Sequence, residues 1–205
     1  MQSKLLRFLF LAVTLFSAVV TSNARNKYLF VYFTGNDPHQ EQISYAVSDD
    51  GFNYTPLNGG KPVVSSDSIA RTGCVRDPHI LRTKNGEYLM VVTDMRSSLG
   101  WASNRGIVLL KSRDLIHWQH HTVHFPEKYA GKNFANVTRV WAPQTIYDEK
   151  AGKYMVYFSL LTNDGTIPYD RVYWAYANAD FSDLEGEPQV LFDFHAPAID
   201  TDIVQ

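Results

Sequence analysis

A short apolar segment with a tyrosine at its second position occurs three times along the chain, in residues 27–33 (KYLFVYF), 87–93 (EYLMVVT) and 153–159 (KYMVYFS). Val, Ile, Tyr and Phe are enriched in β-strands. The second and third copies follow the turns Asn85-Gly86 and Ala151-Gly152, which suit tight hairpins because glycine accepts a positive φ. The copies recur about every 65 residues, so they predict a repeated all-β architecture.

Two further signatures accompany these segments. A strand with a polar, Asp-containing turn follows each copy, in residues 46–54, 110–118 and, more loosely, 176–184. An opening segment precedes the second and third copies and recurs near the end of the chain. We align these opening segments on three isoleucines, Ile80, Ile146 and Ile203. Each complete unit then has four short strands, and the first unit lacks its opening strand.

Four-stranded repeats arranged radially are typical of β-propellers. A β-sandwich of similar hairpins is the alternative, but the regularity of the repeat favours the propeller. The chain holds about three such units, whereas a propeller needs at least four blades to close. We therefore expect an incomplete, all-β propeller, with residues 25–205 as the N-terminal portion of a single domain.

The first residues of the chain have the pattern of a signal peptide. Lys4 and Arg7 precede an apolar run over residues 8–20, and Ser22 and Ala24 offer small residues at a cleavage site. The run is shorter than the ~20 residues that span a bilayer. We expect cleavage after residue 24, export to the periplasm or the medium, and no membrane association afterwards.

Composition excludes several classes of function. Hydrophobic residues make up 45% of the chain and charged residues 20%, which is typical of a globular domain. A net charge of −2 offers no basic face for nucleic acid. One predicted outer strand carries His117, His120, His121 and His124. Neighbouring positions of a strand face opposite sides, so we do not expect these histidines to converge on a metal ion. We therefore predict no metal site and no cofactor.

Two carboxylates share one register in different units. Asp77 and Asp200 each stand three residues before an aligned isoleucine, at the start of a predicted innermost strand. Such strands line the central channel of a propeller. Hydrolysis of a glycoside needs one group that activates water and another that protonates the leaving oxygen. Arg76 precedes Asp77, and strict alternation would direct it to the opposite face of the strand.

The chain resembles glycoside hydrolase family 43 in three motifs, ArgAspPro at residues 76–78, TrpAlaPro at 141–143 and IleAsp at 199–200. The resemblance implies a five-bladed β-propeller that hydrolyses glycosides with inversion. It implies that Asp77 is the general base and that Asp200 orients the general acid and tunes its pKa. That family often has Asp where this chain has Gln144.

The same resemblance implies a glutamate as general acid, in the blade after the second aspartate. No residue of this chain matches it, and Glu185 and Glu187 lie in the outer part of a predicted blade. We expect the acid to lie beyond Gln205 and the 205-residue chain by itself to be inactive or nearly so.

The resemblance also implies a carbohydrate substrate, with α-L-arabinofuranosides or β-D-xylosides of plant-type polysaccharides as the expected classes. Trp101 and Trp141 are candidates for stacking on a sugar. Asp94 and Arg105 are candidates for the channel rim because one ends a predicted strand and the other precedes one.

Two alternatives stay open. A fructan-cleaving glycosidase of family 32 also carries ArgAspPro, but here Asn36-Asp37-Pro38 lacks the Asn-Gly that should follow it and comes after the strand it should precede. A non-catalytic glycan-binding propeller would keep the fold and channel and need no acid.

Overall fold

The computed structural model describes residues 27–163 and 168–204. The described chain is almost entirely β-structure. Eleven strands are connected by turns, two α-helical turns and three short 3-10 helices. The strands are β1 (Tyr28–Tyr32), β2 (Ser44–Ser48), β3 (Thr55–Pro56), β4 (Val75–Arg82), β5 (Tyr88–Asp94), β6 (Gly106–Ser112), β7 (Trp118–His124), β8 (Val137–Asp148), β9 (Lys153–Thr162), β10 (Arg171–Tyr176) and β11 (Gln189–Phe192). The helical turns are α1 (Ser66–Ile69) and α2 (Phe125–Lys128), and the 3-10 helices are Asn58–Gly60, Ser97–Leu99 and Asn133–Asn136.

The strands form three antiparallel sheets in chain order. The first contains β1-β2-β3, the second β4-β5-β6-β7 and the third β8-β9-β10-β11. Only the first sheet has three strands, as the missing opening strand of the first repeat predicts. Strand β8 packs against β4 and β5, so the opening strands of the second and third sheets are neighbours. These meandering sheets are blades of a β-propeller, which confirms the predicted fold class.

Two apolar clusters join the blades. Leu89 and Val91 of β5 face the third blade, whereas Met90 and Val92 face the first. Successive side chains of a strand point to opposite faces. Both faces of strand β5 are therefore buried, which explains why its sequence is a continuous apolar run.

The proposed signal peptide lies outside the described residues. Among the residues described, no helix is long and apolar enough to cross a membrane. Cys74 is a free, buried thiol between the first and second blades.

Candidate functional site

The opening strands of the second and third blades are interrupted by a β-bulge at the same point. The pairing of β4 with β5 shifts between Arg76 and His79. The pairing of β8 with β9 shifts between Trp141 and Gln144. Bulges bend a strand and redirect its side chains, and they are over-represented next to active sites.

A residue in left-handed conformation occupies each bulge, with φ of 51° at Asp77 and 46° at Ala142, and Asp200 has φ of 55°. This conformation costs a non-glycine residue about 1–2 kcal/mol. Strain of this kind clusters at functional sites. The structure therefore relates three residues from successive repeats, and two of them are the predicted catalytic aspartates.

This relationship corrects the sequence alignment of the third unit. Ile80 pairs with Met90, and the residue of β8 at the matching place after the bulge is Thr145, which pairs with Val156. The alignment of Ile80 with Ile146 is therefore wrong by one residue. Ala142 is the counterpart of Asp77, so the third blade carries a methyl group where its neighbours carry carboxylates.

The carboxylate of Asp77 is held by the neighbouring strand β5. Thr93, which is fully buried, donates a hydrogen bond of 2.8 Å from its hydroxyl to Oδ2 of Asp77. Burial raises the pKa of Asp77, and the negative charge of Asp200 acts in the same direction. The Thr93 hydrogen bond, the positive charge of Arg76 and the Ala142 amide oppose the rise in pKa. Asp77 and Asp200 are thus close enough to interact electrostatically.

Asp77 and Asp200 line one small cleft of about 140 Å³, together with Arg76, Met95, Trp101, Trp141 and Ile199. A second cavity of about 180 Å³ shares both aspartates and is further lined by Pro78, His79, Ala142, Pro143 and Gln144. Asp77 is half-buried and Asp200 is exposed. The two carboxylates therefore face the same open space, as expected of residues on channel strands.

Arg76 lies in this cleft beside Asp77, which corrects the expectation that it faces away. The bulge after Arg76 breaks the strict alternation on which that expectation depends. Its Nη1 donates hydrogen bonds of 2.7 Å to Asn36 Oδ1, 2.8 Å to Ser97 Oγ and 3.2 Å to Glu41 Oε1.

Glu41 is a site residue that the sequence did not indicate. It is 0% exposed, forms an ion pair with Arg76 and accepts hydrogen bonds from the Ser97 amide. A buried charge needs such a partner. Glu41 lies in an irregular loop of the first blade, outside the repeat, so no strand or motif pattern could have identified it.

Both predicted aromatic residues line the cleft. Trp101 and Trp141 pack edge to face with ring centroids 6.3 Å apart. Trp101 is 56% exposed, whereas Trp141 is half-buried beneath the Arg139 guanidinium, 4.4 Å from its ring. Trp101 therefore offers an accessible aromatic face at the rim of the cleft.

The other two predicted substrate contacts lie elsewhere. Asp94 is 2% exposed, and its carboxylate accepts hydrogen bonds from the amides of Arg71 (3.0 Å) and Thr72 (2.9 Å) and from the Thr72 hydroxyl. This carboxylate fixes a loop and is not free to bind a ligand. Arg105 is exposed but lines a separate cavity with Asn136 and Asn163. The sequence showed that these residues flank strands but not which way their side chains point.

The remaining polar groups of interest are on the outer parts of the blades. His117 caps a turn with Asp114, its Nδ1 lying 2.7 Å from Oδ2, and His120 and His121 are exposed on β7. The described residues contain no group of three potential metal ligands. Glu185 and Glu187 form ion pairs with Lys153 and Lys132 on the surface of the third blade.

A larger cavity than the cleft of Asp77 and Asp200 lies between the first and second blades. It measures about 910 Å³ and is lined mainly by apolar side chains such as Leu29, Tyr45 and Ile80. Its one carboxylate, Asp114, accepts hydrogen bonds from the amides of Ile116 and His117. This cavity has no paired carboxylates and so lacks the groups that glycoside hydrolysis needs.

Comparison with known proteins gives a family and a fold. A family model described as a probable glycosyl hydrolase domain matches residues 23–205. An α-L-arabinofuranosidase of Bifidobacterium longum subsp. longum is 29% identical over 138 residues, which cover 63% of this chain and 13% of that protein. The chain thus spans about one eighth of this curated relative.

Solved structures with the same fold include three glycosidases. A family 43 β-1,3-galactosidase has a TM-score of 0.53 at 13% identity over 80% of this chain and 32% of its own. An exo-β-1,3-galactanase from Phanerochaete chrysosporium has a TM-score of 0.52 at 13% identity, over 80% and 36%. A glycosyl hydrolase from Bacteroides ovatus has a TM-score of 0.51 at 20% identity, over 81% and 48%. At these identities the similarity establishes the propeller fold and leaves the substrate open.

Proposed function

Because the chain belongs to the family of probable glycosyl hydrolase domains related to glycoside hydrolase family 43, we propose that its full protein hydrolyses O-glycosidic bonds with inversion of the anomeric carbon. The observation that carries this proposal is the placement of Asp77 and Asp200. Both residues adopt the same strained conformation at equivalent positions of the second and fourth repeats, and both line one cleft.

In this mechanism Asp77 is the general base. Its carboxylate takes a proton from a water molecule, and the oxygen of that water attacks the anomeric carbon from the side opposite the leaving group. Base and acid must be roughly 6.5–9.5 Å apart to admit the water. The hydrogen bond from Thr93 holds the carboxylate, and the adjacent Arg76 charge favours its ionised form.

Asp200 has an electrostatic and orienting role. A carboxylate beside a second carboxyl raises the pKa of that group, which keeps an acid protonated at neutral pH. No described residue is assigned as the general acid. We propose that this acid belongs to a part of the full protein outside the residues described here.

The substrate is proposed as a side chain of a plant-type polysaccharide or an oligosaccharide. The arabinofuranosidase relative favours α-L-arabinofuranosides, with β-D-xylosides as the second class named by the sequence resemblance. The names of the structural neighbours add β-1,3-galactosides to the candidates. The exposed face of Trp101 supports a sugar ring at the entrance of the cleft.

The test is an assay of the full protein, as its gene encodes it, on aryl and oligosaccharide substrates of these three classes. Asp77→Asn should lower kcat/KM by about 10²–10⁴-fold, the contribution of a positioned base. Asp49→Asn is the control because Asp49 is exposed and pairs with Lys27 far from the cleft. Full activity of Asp77→Asn would refute the assignment, and saturable sugar binding without hydrolysis by the wild type would instead indicate a glycan-binding propeller.

We also propose that the protein is exported and cleaved after Ala24, on the basis of the charged start, the apolar run and the small residues before residue 25. N-terminal sequencing of the protein from the native host should begin at Arg25. A mature protein that still begins at Met1 would contradict this proposal.

A further inference from the structure

Asp200 lies on the segment that follows strand β11. Strand β11 ends at Phe192, and residues 193–204 form no strand in the described structure. Asp77 belongs to β4, which pairs with β5 on both sides of the bulge that Asp77 occupies. The contacts of this segment with the third blade therefore bear on the position of Asp200.

Two main-chain hydrogen bonds hold this segment, one on each side of Asp200. The amide of Ala198 donates a bond of 3.0 Å to the Asp170 carbonyl. The amide of Ile203 donates one of 3.1 Å to the hydroxyl of Tyr157. Asp170 is itself fixed by two hydrogen bonds from Arg139, of 2.8 and 2.6 Å.

The burial and hydrogen bonding of Tyr157 fix its hydroxyl to accept the hydrogen bond from the Ile203 amide. It is 1% exposed on β9 of the third blade, and its hydroxyl donates a bond of 2.7 Å to Gln144 Oε1. An amide oxygen can only accept, so the hydroxyl hydrogen points to Gln144 and a lone pair is left for the Ile203 amide. Burial raises the pKa of Tyr157, with Asp202 acting in the same direction, so the hydroxyl keeps its hydrogen at neutral pH.

We propose that Tyr157, oriented by Gln144, is a positioning residue that holds the Asp200 segment at the cleft opposite Asp77. The inference rests on the proposed function for its catalytic meaning. One side-chain hydroxyl of the third blade thus holds the main chain three residues after Asp200. Gln144 thereby acquires a role, because its amide oxygen orients the hydroxyl without adding a third charge near Asp77 and Asp200.

The experiment compares Tyr157→Phe with Tyr129→Phe in the full protein. Tyr129 is a matched control: it is a buried tyrosine, 3% exposed, in the core between the second and third blades, and its hydroxyl has no hydrogen-bond partner among the described residues. Neither change removes buried apolar volume. The first readout is hydrogen exchange of the peptide that contains Ile203, which is independent of activity. The second is the pH profile of kcat and KM.

Tyr157→Phe should speed exchange at Ile203 by up to about tenfold, the equilibrium weight of one hydrogen bond. It should lower kcat by about tenfold or more with little change in KM, because misplaced catalytic groups slow the chemical step. The acid limb of kcat/KM should move to lower pH, because Asp200 then raises the pKa of Asp77 less. Tyr129→Phe should leave all three unchanged.

Unchanged exchange at Ile203 in Tyr157→Phe, or equal changes in both variants, would overturn the inference. If Tyr157→Phe does not fold, Gln144→Met carries the same test, because it removes the acceptor that orients the hydroxyl. The wild-type protein could hydrolyse no glycoside while hydrogen exchange at Ile203 in Tyr157→Phe still speeds up as expected. In that case the positioning role of Tyr157 is supported and the proposed function fails.

Discussion

The hydroxyl of Thr93 donates a hydrogen bond of 2.8 Å to the carboxylate of Asp77. The same oxygen accepts a bond of 3.0 Å from the amide of Ala142 in the next blade. One fully buried side chain thus links the two bulged opening strands at their strained residues. The geometry of the proposed base therefore depends on the contact between the second and third blades.

Thr93→Val should impair both stability and the pH response of activity. The Ala142 amide would lose its hydrogen bond to the Thr93 hydroxyl, which costs about 0.5–1.5 kcal/mol of unfolding free energy. Asp77 would lose a hydrogen bond that lowers its pKa, so the acid limb of kcat/KM should move to higher pH. Chemical denaturation and a pH-rate profile measure the two effects. Thr122→Val, whose hydroxyl donates to the Ile69 carbonyl far from the cleft, should leave the limb in place.

Asp77→Asn should stabilise the folded protein at neutral pH. A carboxyl whose pKa is raised by folding stabilises the protein in its protonated form, and this contribution is lost as pH rises through the folded-state pKa. The gain in Tm of Asp77→Asn over the wild type should therefore be larger at pH 7 than near pH 4. Asp148→Asn should show the opposite sign, because hydrogen bonds, chiefly from Tyr176, lower the pKa of Asp148. A gain for Asp77→Asn that does not depend on pH would contradict this account.

Ala142→Gly should raise the free energy of unfolding by about 0.5–1 kcal/mol, the relief of a left-handed alanine less the added freedom of the unfolded chain. Ala175→Gly is the matched contrast. Ala175 is buried in the regular strand β10, where glycine should cost about 0.5–1 kcal/mol. Denaturant titrations of both variants should give shifts of opposite sign, and a loss of stability in Ala142→Gly would show that the bulge is not strained.

Asp94→Asn should lower stability by about 1–3 kcal/mol and leave KM unchanged. Its carboxylate accepts three hydrogen bonds from Arg71 and Thr72, and an amide nitrogen in place of one oxygen would face a donor. The measurement is a thermal or denaturant melt alongside substrate saturation kinetics. A raised KM with unchanged stability would restore Asp94 to the substrate contacts predicted from sequence.

The repeat carried most of the information about the fold. Strands β5 and β9 could be predicted from their apolar runs because strands buried on both faces are continuously apolar. The missing first strand of the first blade could be predicted from the order of the repeated segments. The bulges in β4 and β8 could not be predicted from the sequence in this way. They depend on the hydrogen-bond register, so the isoleucine alignment missed that Ala142 is the counterpart of Asp77.

The candidate site was predicted in part. Asp77, Asp200 and Trp141 were named from motifs and Trp101 as an aromatic residue able to stack on a sugar, and all four line one cleft. The roles of Glu41 and Tyr157 were missed. Glu41 lies in a loop of the first blade, and Tyr157 lies on β9, the second strand of the third blade. Their roles depend on packing between blades, which no local sequence pattern records.

The central claim is inversion of the anomeric carbon by water that Asp77 activates, and the most direct test is the configuration of the first sugar released. The full protein should be mixed with a substrate that it hydrolyses, and the anomeric proton followed by NMR before mutarotation. The account predicts that the first-formed product has the anomeric configuration opposite to that of the substrate. A product that first appears with retained configuration would show a covalent glycosyl-enzyme mechanism and would contradict the assignment of Asp77 as a general base.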